Sequence, residues 1–143
     1  MSKHFKLYEF SKVKIPNSVA EKIEKYQMPE LEKVRAELNR RNPGHPDIPL
    51  VISKKSGYRP QWYELQHGRS GNSEHCYLFD SKGAVDITCA KEYFDDLWDI
   101  VQESGYTRVC LYPNHQFIHC DFKPSDHKLY ICEDGKHWER LPS

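Results

Sequence analysis

Two stretches of the chain place their apolar residues along one side of a helix. The first, residues 29–41, has apolar positions three and four residues apart with charged positions between them: Leu31, Val34 and Leu38. The second, residues 91–104, has the same period and is followed by a glycine: Phe94, Leu97, Trp98 and Val101. A shorter helix is predicted over residues 17–26. We expect Met28-Pro29 to interrupt it, because proline is tolerated in the first turn of a helix but not in its interior.

Branched apolar runs and polar–apolar alternation predict strands at residues 48–55, 84–89, 106–112, 116–123 and 127–132. The third and fourth are joined by Pro113-Asn114-His115, which is typical of an antiparallel hairpin. The polar residues 61–72 are predicted to form a loop with one helical turn at 61–65. These elements predict one α+β domain over residues 1–143. Residues 1–16 form an extended N-terminal segment, the core lies at about 17–140, and two or three helices pack on a small antiparallel sheet.

Polar side chains are separated from apolar ones on two of the predicted strands. In residues 116–123, His119 and Asp121 share the face opposite to the apolar residues, because successive side chains of a strand point to opposite sides. In residues 84–89, Asp86 likewise lies on the face opposite to the apolar residues. On a single strand this pattern indicates a solvated sheet face. On two strands it is typical of an active site.

The composition argues against several classes of protein. Lys+Arg and Asp+Glu both number 21, so no overall charge points to nucleic acid or to an acidic membrane surface. The five cysteines are widely spaced without a C-x-x-C pair, which argues against a disulfide framework and a cysteine-based zinc site. Residues 1–14 lack the apolar stretch of a secretion signal, and no run approaches the length of a membrane span. We expect a soluble monomer made in the cytoplasm.

His75, Asp86 and His119 are the candidate metal ligands. Two imidazole nitrogens and one carboxylate oxygen suit a catalytic Zn²⁺ that keeps one position open for water. A histidine in a strand is more often a hydrogen-bonded surface or core residue, and that role is assigned to five of the eight: His4, His45, His67, His127 and His137.

Four short motifs carry a family resemblance. They are Ser-Gly-Tyr-Arg-Pro at 56–60, Ser-x-His at 73–75, Gly-Ala-x-Asp at 83–86, and a segment over 112–121 that ends in Phe-Ile-His-Cys-Asp. With these motifs in this order, the chain resembles the D-alanyl-D-alanine metallopeptidases, the hedgehog-like zinc peptidases of bacterial and phage cell-wall enzymes. The resemblance spans about residues 29–121. It implies that His75, Asp86 and His119 bind zinc, and that Arg59 grips the substrate or the developing oxyanion.

The resemblance also implies a substrate groove beside the metal. Tyr58 and Arg59 are predicted to contact substrate there, and Ser73 is predicted to contact substrate or to orient the metal ligands. Trp62 and Tyr63 either line this groove or seal an edge of the domain, and the sequence leaves both alternatives open.

Two departures from the family pattern bear on these expectations. The chain is several residues longer than usual after the first histidine, so residues 76–82 are expected to bulge out as a loop. Many family members carry a catalytic glutamate three residues before the last histidine, and this chain has Gln116 there, an amide that cannot act as a general base. Asp121, on the same strand face as His119, is the predicted substitute, and His115 is the second candidate.

Three functions follow as hypotheses. The first is a zinc-dependent peptidase that hydrolyses peptidoglycan stem peptides or crosslinks, as a carboxypeptidase or an endopeptidase. The second is a metal-binding but catalytically inactive recognition module that resembles hedgehog signalling domains. The third is a metal-free relative that shares only the fold. The expected partner is a peptidoglycan peptide and neither nucleic acid nor a membrane, with phage-type delivery to the cell wall as one route.

Overall fold

The computed structural model describes residues 2–142. Helices α1 to α4 span Asn17–Lys22, Met28–Arg41, Gln61–Gln66 and Phe94–Gln102. Strands β1 to β6 span Val51–Ile52, Ala84–Thr88, Arg108–Tyr112, Phe117–Asp121, Leu129–Ile131 and Glu139–Arg140. Short 3₁₀ turns lie at Leu7–Phe10, Ser53–Lys55, Glu74–Cys76 and Lys91–Tyr93. Within the described part of the chain, none of the helices combines the length and the apolar character needed to cross a membrane.

Helices α1 and α2 belong to one helical run over residues 17–41, joined by a π-helical turn at Ile23–Gln27. The Met28 N–H closes this turn by donating to the Ile23 carbonyl oxygen. Pro29 follows directly, in the first turn of α2. The expected interruption at this proline is therefore wrong. The helical run continues because the π-helical turn before Pro29 changes the spacing of the backbone hydrogen bonds, and Pro29 then occupies a first turn, where its missing N–H is tolerated.

The six strands form one sheet in the order β1-β2-β4-β3-β5-β6. All neighbouring strands are antiparallel except β3 and β5, which are parallel. The α+β class is confirmed, whereas the all-antiparallel sheet is wrong at this one pair. β3 and β5 are parallel because β4 lies between β2 and β3. The chain leaves β4 beside the start of β3, and residues 122–128 carry it across to the other edge of β3, so β5 begins opposite Val109 and runs in the same direction.

The core lies on one face of this sheet, under α2 and α4, which also contact each other. The helices contribute the stripes predicted from their periodicity, and the sheet contributes the apolar positions of its central strands: Val85, Ile87, Val109, Ile118 and Cys120. All five cysteines lie within the described residues and are free thiols. The polar positions of β2 and β4 consequently face the other side of the sheet.

The N-terminal segment is tied to the first motif by backbone hydrogen bonds. The carbonyl oxygen of Phe10, a fully buried residue, accepts from the N–H groups of Gly57 and Tyr58, at 3.2 and 2.7 Å. A β-carbon at Gly57 would lie 2.7 Å from this carbonyl oxygen, so no larger residue fits there without a shift of the backbone. Residues 54–55 both have positive φ and end β1 earlier than the predicted strand over 48–55.

The loop expected at residues 76–82 is observed, and Gly83 closes it. This glycine has a φ of +84°, and a β-carbon on it would overlap the buried ring of Tyr77. The Tyr77 hydroxyl donates to the carbonyl oxygen of Ala84, 3.1 Å away, so the ring cannot move aside without breaking this bond. We expect Gly83→Ala to lower the free energy of unfolding by about 2–4 kcal/mol, because steric overlap adds to left-handed strain.

Thermal and urea unfolding will measure this effect. The matched control is Gly44→Ala, since Gly44 has a nearly identical φ of +86° but no atom within 4 Å of the added carbon. The control isolates the cost of strain, which we expect to be about 1 kcal/mol. Equal losses of stability in the two variants would contradict a role for the Tyr77 ring.

Candidate metal centre

Three side chains meet at a buried point on the polar face of the sheet: His75, Asp86 and His119. The Nε2 atom of His75 lies 3.1 Å from Nδ1 of His119 and 3.3 Å from Oδ1 of Asp86. The Nδ1 atom of His119 lies 3.2 Å from the same carboxylate oxygen. The three residues proposed from the motifs are thus brought together by the fold.

The other nitrogen of each imidazole is hydrogen-bonded to a pure acceptor. His75 Nδ1 lies 2.7 Å from the carbonyl oxygen of Gly57, and His119 Nε2 lies 2.8 Å from a carboxylate oxygen of Asp121. Because neither acceptor can donate a proton, each neutral ring carries its proton on that side and turns its lone pair toward the shared point. In this neutral form, two lone pairs and the Asp86 carboxylate face one another and form a site for a cation.

The spacing of the three atoms also suits a metal ion. Ligand atoms bound at 2.0–2.1 Å in tetrahedral geometry lie about 3.3 Å apart. The three observed separations are 3.1, 3.2 and 3.3 Å. The residues present therefore fit a tetrahedral ion with two nitrogen ligands and one oxygen ligand, which leaves the fourth position for water.

The two imidazoles differ in their affinity for a proton. Burial lowers the pKa of His75, and the nearby Asp86 carboxylate only partly offsets it. Burial also acts on His119, but its hydrogen bonds with Asp121 and Asp86 outweigh burial and raise its pKa to about 9. Burial opposes ionisation of Asp86, yet both imidazoles hold the pKa of this carboxyl well below its usual range. The cluster therefore favours an ionised carboxylate.

His75 is positioned by the turn that carries it and by the first motif. The Ser73 hydroxyl accepts a hydrogen bond from the His75 N–H, 3.1 Å away, and begins the Glu74–Cys76 turn. The His75 carbonyl oxygen accepts from the Arg59 N–H at 2.8 Å. This contact is compatible with the predicted orienting role of Ser73, which stays a prediction, as does its predicted contact with substrate.

Asp86 and His119 face each other because they are cross-strand partners in β2 and β4. The second carboxylate oxygen of Asp86 accepts a hydrogen bond from the Ser56 hydroxyl at 2.7 Å. Ser56 precedes Gly57, whose carbonyl oxygen holds His75. One short turn therefore orients both His75 and Asp86.

Asp121 lies beside His119, as its strand position predicted, but it is fully buried. One of its oxygens accepts from His119 Nε2 and, at 2.6 Å, from the Arg108 guanidinium. The other accepts from Arg108 Nε and from the Lys123 N–H, both at 3.0 Å. Burial opposes its ionisation, but these donors keep the pKa of Asp121 well below its usual range. Both oxygens are thus engaged by protein donors.

His115 lies outside the cluster. It is exposed in the turn between β3 and β4, where its ring is near the rings of Tyr112 and Phe117, with centroids 6.4 and 6.2 Å away. Gln116, which follows it, has a φ of +55°, and its amide donates to the Pro113 carbonyl oxygen at 2.8 Å. The side chain at this position is thus folded back onto the turn.

Two residues that the sequence did not single out complete the surroundings of His119. Arg108 is the cross-strand partner of Asp121. Trp138 has its ring centroid 5.1 Å from that of His119 and 4.9 Å from the Arg108 guanidinium carbon, and its Nε1 donates to the Tyr112 hydroxyl at 2.9 Å. No sequence pattern indicates Trp138, since it directly precedes β6 and its place near His119 depends on the order of the strands in the sheet.

A cavity of about 240 Å³ opens beside Asp86. The predicted groove residues Tyr58 and Arg59 line it, as does Tyr63. Trp62 is half exposed, at 53%, and is not part of the lining. Of the two aromatic residues whose placement the sequence leaves open, Tyr63 lines this cavity and Trp62 does not.

Comparison with known proteins agrees with this geometry. A family model described as Peptidase M15 matches residues 3–121, a segment that contains His75, Asp86 and His119 and ends at Asp121. No curated protein and no solved structure matches the chain. The match covers most of the chain and confirms the resemblance to the D-alanyl-D-alanine metallopeptidases. The chain belongs to the peptidase M15 family of metallopeptidases.

Proposed function

We propose that this protein is a zinc-dependent peptidase that hydrolyses peptide bonds in peptidoglycan stem peptides or crosslinks. The observation that carries the proposal is the convergence of two imidazole nitrogens and one carboxylate oxygen at tetrahedral spacing, in a chain of the M15 family. The cavity beside Asp86 supports it, because a peptidase needs space for a substrate next to the metal.

The chain's own residues divide the work of such a site. His75, Asp86 and His119 would hold the zinc, which when bound lowers the pKa of a water molecule and polarises a carbonyl group. Among the described residues, none accepts a hydrogen bond from the Arg59 side chain, which is 27% exposed and lines the cavity. Its Nε faces the buried Glu64 carboxylate at 3.6 Å, and the rest of the guanidinium can hold a substrate carboxylate or an oxyanion through charge-assisted hydrogen bonds.

The contacts of Asp121 favour an orienting role over the general-base role predicted from its strand position. A base must have an oxygen within reach of the water, whereas both oxygens of Asp121 accept from protein donors. By accepting the Nε2 proton of His119, Asp121 fixes the tautomer whose Nδ1 faces the metal position. The general-base assignments of Asp121 and His115 remain predictions from the sequence.

The second candidate function is a recognition module that binds metal without hydrolysis. The observation that favours it is the environment of Gln116, whose amide is bonded within the turn and supplies no carboxylate at the position of the family's glutamate. This alternative keeps the same three metal ligands and the same cavity.

Release of peptide material from purified peptidoglycan tests the proposal. We expect about one zinc per chain, release of amino acids or peptides identified by mass spectrometry, loss of release with a chelator, and recovery with added zinc. Single amino acids would identify a carboxypeptidase, and larger fragments an endopeptidase. One bound zinc without release from walls of different composition would support the recognition module instead. Folded protein that binds no metal would overturn both.

A further inference from the structure

The cavity beside the metal centre collects positive charge in a chain whose formal net charge is zero. Five cationic side chains line it: Lys12, Lys54, Lys55, Arg59 and Arg69. Within the described residues that line the cavity, Asp86 is the one acidic side chain, and it is a proposed metal ligand. The cavity therefore attracts anions because of how the fold places its cations, since the overall composition is balanced.

A buried carboxylate organises two of these cations. Glu64 of α3 is fully buried, and one of its oxygens accepts a hydrogen bond from Arg69 Nε at 2.6 Å and forms an ion pair with Arg69 Nη2, also at 2.6 Å. Its other oxygen lies 3.6 Å from Arg59 Nε, too far for a hydrogen bond, and both of these buried atoms lack a hydrogen-bonding partner. One carboxylate cannot neutralise two guanidinium groups. The trio therefore keeps a net positive charge and unused donors at the cavity wall.

Two of the cavity lysines lie in the turn that follows β1, and their backbone conformation is uncommon. Lys54 and Lys55 are consecutive residues with φ values of 51° and 56°, a region that residues other than glycine rarely adopt. The same turn continues into Ser56, whose hydroxyl is bonded to Asp86. The segment that orients a candidate metal ligand thus also places the backbone of these two exposed lysines at the cavity.

We propose that this cavity binds the part of the substrate that flanks the cleaved bond, and that it selects acidic peptides with two closely spaced carboxylates. The flat guanidinium fork of Arg59, with Arg69 beside it, suits one planar carboxylate, and Lys54 and Lys55 suit a second. Glu64 acts as a positioning residue for both arginines. The inference rests on the proposed peptidase function and extends it to a substrate class.

Equilibrium binding to the zinc-loaded protein tests this selectivity without requiring hydrolysis. The probes are two dansyl-labelled tetrapeptides with amidated C-termini, one with glutamate at its second and fourth positions and one with glutamine at both. Fluorescence anisotropy is expected to give the glutamate peptide an affinity at least about tenfold higher, and this preference should shrink with added salt. Equal affinities for the two peptides would overturn the proposal.

Variants locate the preference in the cavity. Arg69→Gln and Lys55→Gln change exposed side chains, and each is expected to reduce the preference for the glutamate peptide about tenfold while the zinc content stays the same. The matched control is Lys33→Gln, an exposed lysine of α2 outside the cavity lining, which should leave the preference unchanged. If both cavity variants kept the unchanged preference for the glutamate peptide, its carboxylates would bind outside the cavity lining or to the zinc ion itself.

Glu64→Gln tests the positioning role. We expect it to lower the affinity for the glutamate peptide and to leave the affinity for the glutamine peptide unchanged, whereas a merely structural role would weaken both equally. The selectivity and the peptidase activity can fail separately. A protein that hydrolyses wall peptides without preferring the glutamate probe would keep the proposed function and refute this inference. A protein that prefers the glutamate probe but cleaves no wall peptide would keep this inference and refute the proposed function.

Discussion

Replacing His75 or His119 by alanine is expected to abolish zinc retention and peptidase activity together. Each substitution removes one of the three side chains that converge on the shared point, and a catalytic zinc ion needs three protein ligands. We expect zinc to fall from about one equivalent to a small fraction of one after dialysis. Hydrolysis is expected to fall to the background, because the ion that activates water is gone.

Metal analysis of the dialysed variants, with circular dichroism as a check of folding, will measure this result. The matched control is His45→Ala, since His45 is an exposed histidine whose recorded contact is with the Tyr93 hydroxyl, 3.1 Å from its Nδ1. The control should keep its zinc. If either alanine variant loses its fold, His75→Gln and His119→Gln preserve more of the side-chain volume and replace it. A full equivalent of zinc in either ligand variant would refute the assignment.

Asp121→Asn is expected to weaken zinc binding by about 10- to 100-fold, the usual effect of removing a residue that orients a metal-binding histidine. The asparagine amide cannot serve His119 Nε2 and the Arg108 guanidinium as the carboxylate does, because one of its two terminal atoms is itself a donor. The Arg108 charge is left without its partner, and the imidazole loses the contact that fixes its tautomer.

Competition with a chelator and rates at saturating zinc will separate the two roles considered for Asp121. An orienting residue lowers the affinity for zinc, and much of the rate returns once the metal is saturated. A general base leaves the affinity intact and costs about 10²-fold or more in rate at any zinc concentration. The matched control is Asp126→Asn, which removes a carboxylate from an exposed pair with Arg140, 3.5 Å apart, and should change neither quantity.

The sequence predicted the parts of the site that depend on local pattern. The alternation of polar and apolar residues placed Asp86, His119 and Asp121 on one face of the sheet, and short motifs identified His75 and Arg59. Both the alternation and the motifs involve residues close in sequence, so they can be recognised without knowledge of the fold. The spacing of the three ligand atoms, by contrast, needed the register of β2 against β4.

What the sequence did not predict depends on partners that are distant along the chain. The sequence predicts a general-base role for Asp121 because nothing local reveals that Arg108 lies opposite it, thirteen residues away. Trp138 directly precedes β6, and it lies near His119 in a sheet whose order places β5 and β6 beyond β3. The sequence analysis does not single out Glu64, because its burial between two arginines follows from the packing of a short helix.

The backbone of Gly57 connects the N-terminal segment to the metal centre. Its N–H donates to the carbonyl oxygen of Phe10, and its own carbonyl oxygen accepts the proton of His75. Two hydrogen bonds thus connect the N-terminal segment to His75, a candidate metal ligand. Trimming or fusion that disturbs residues 5–10 is therefore expected to lower metal occupancy as well as stability, because Phe5 and Phe10 are also core residues.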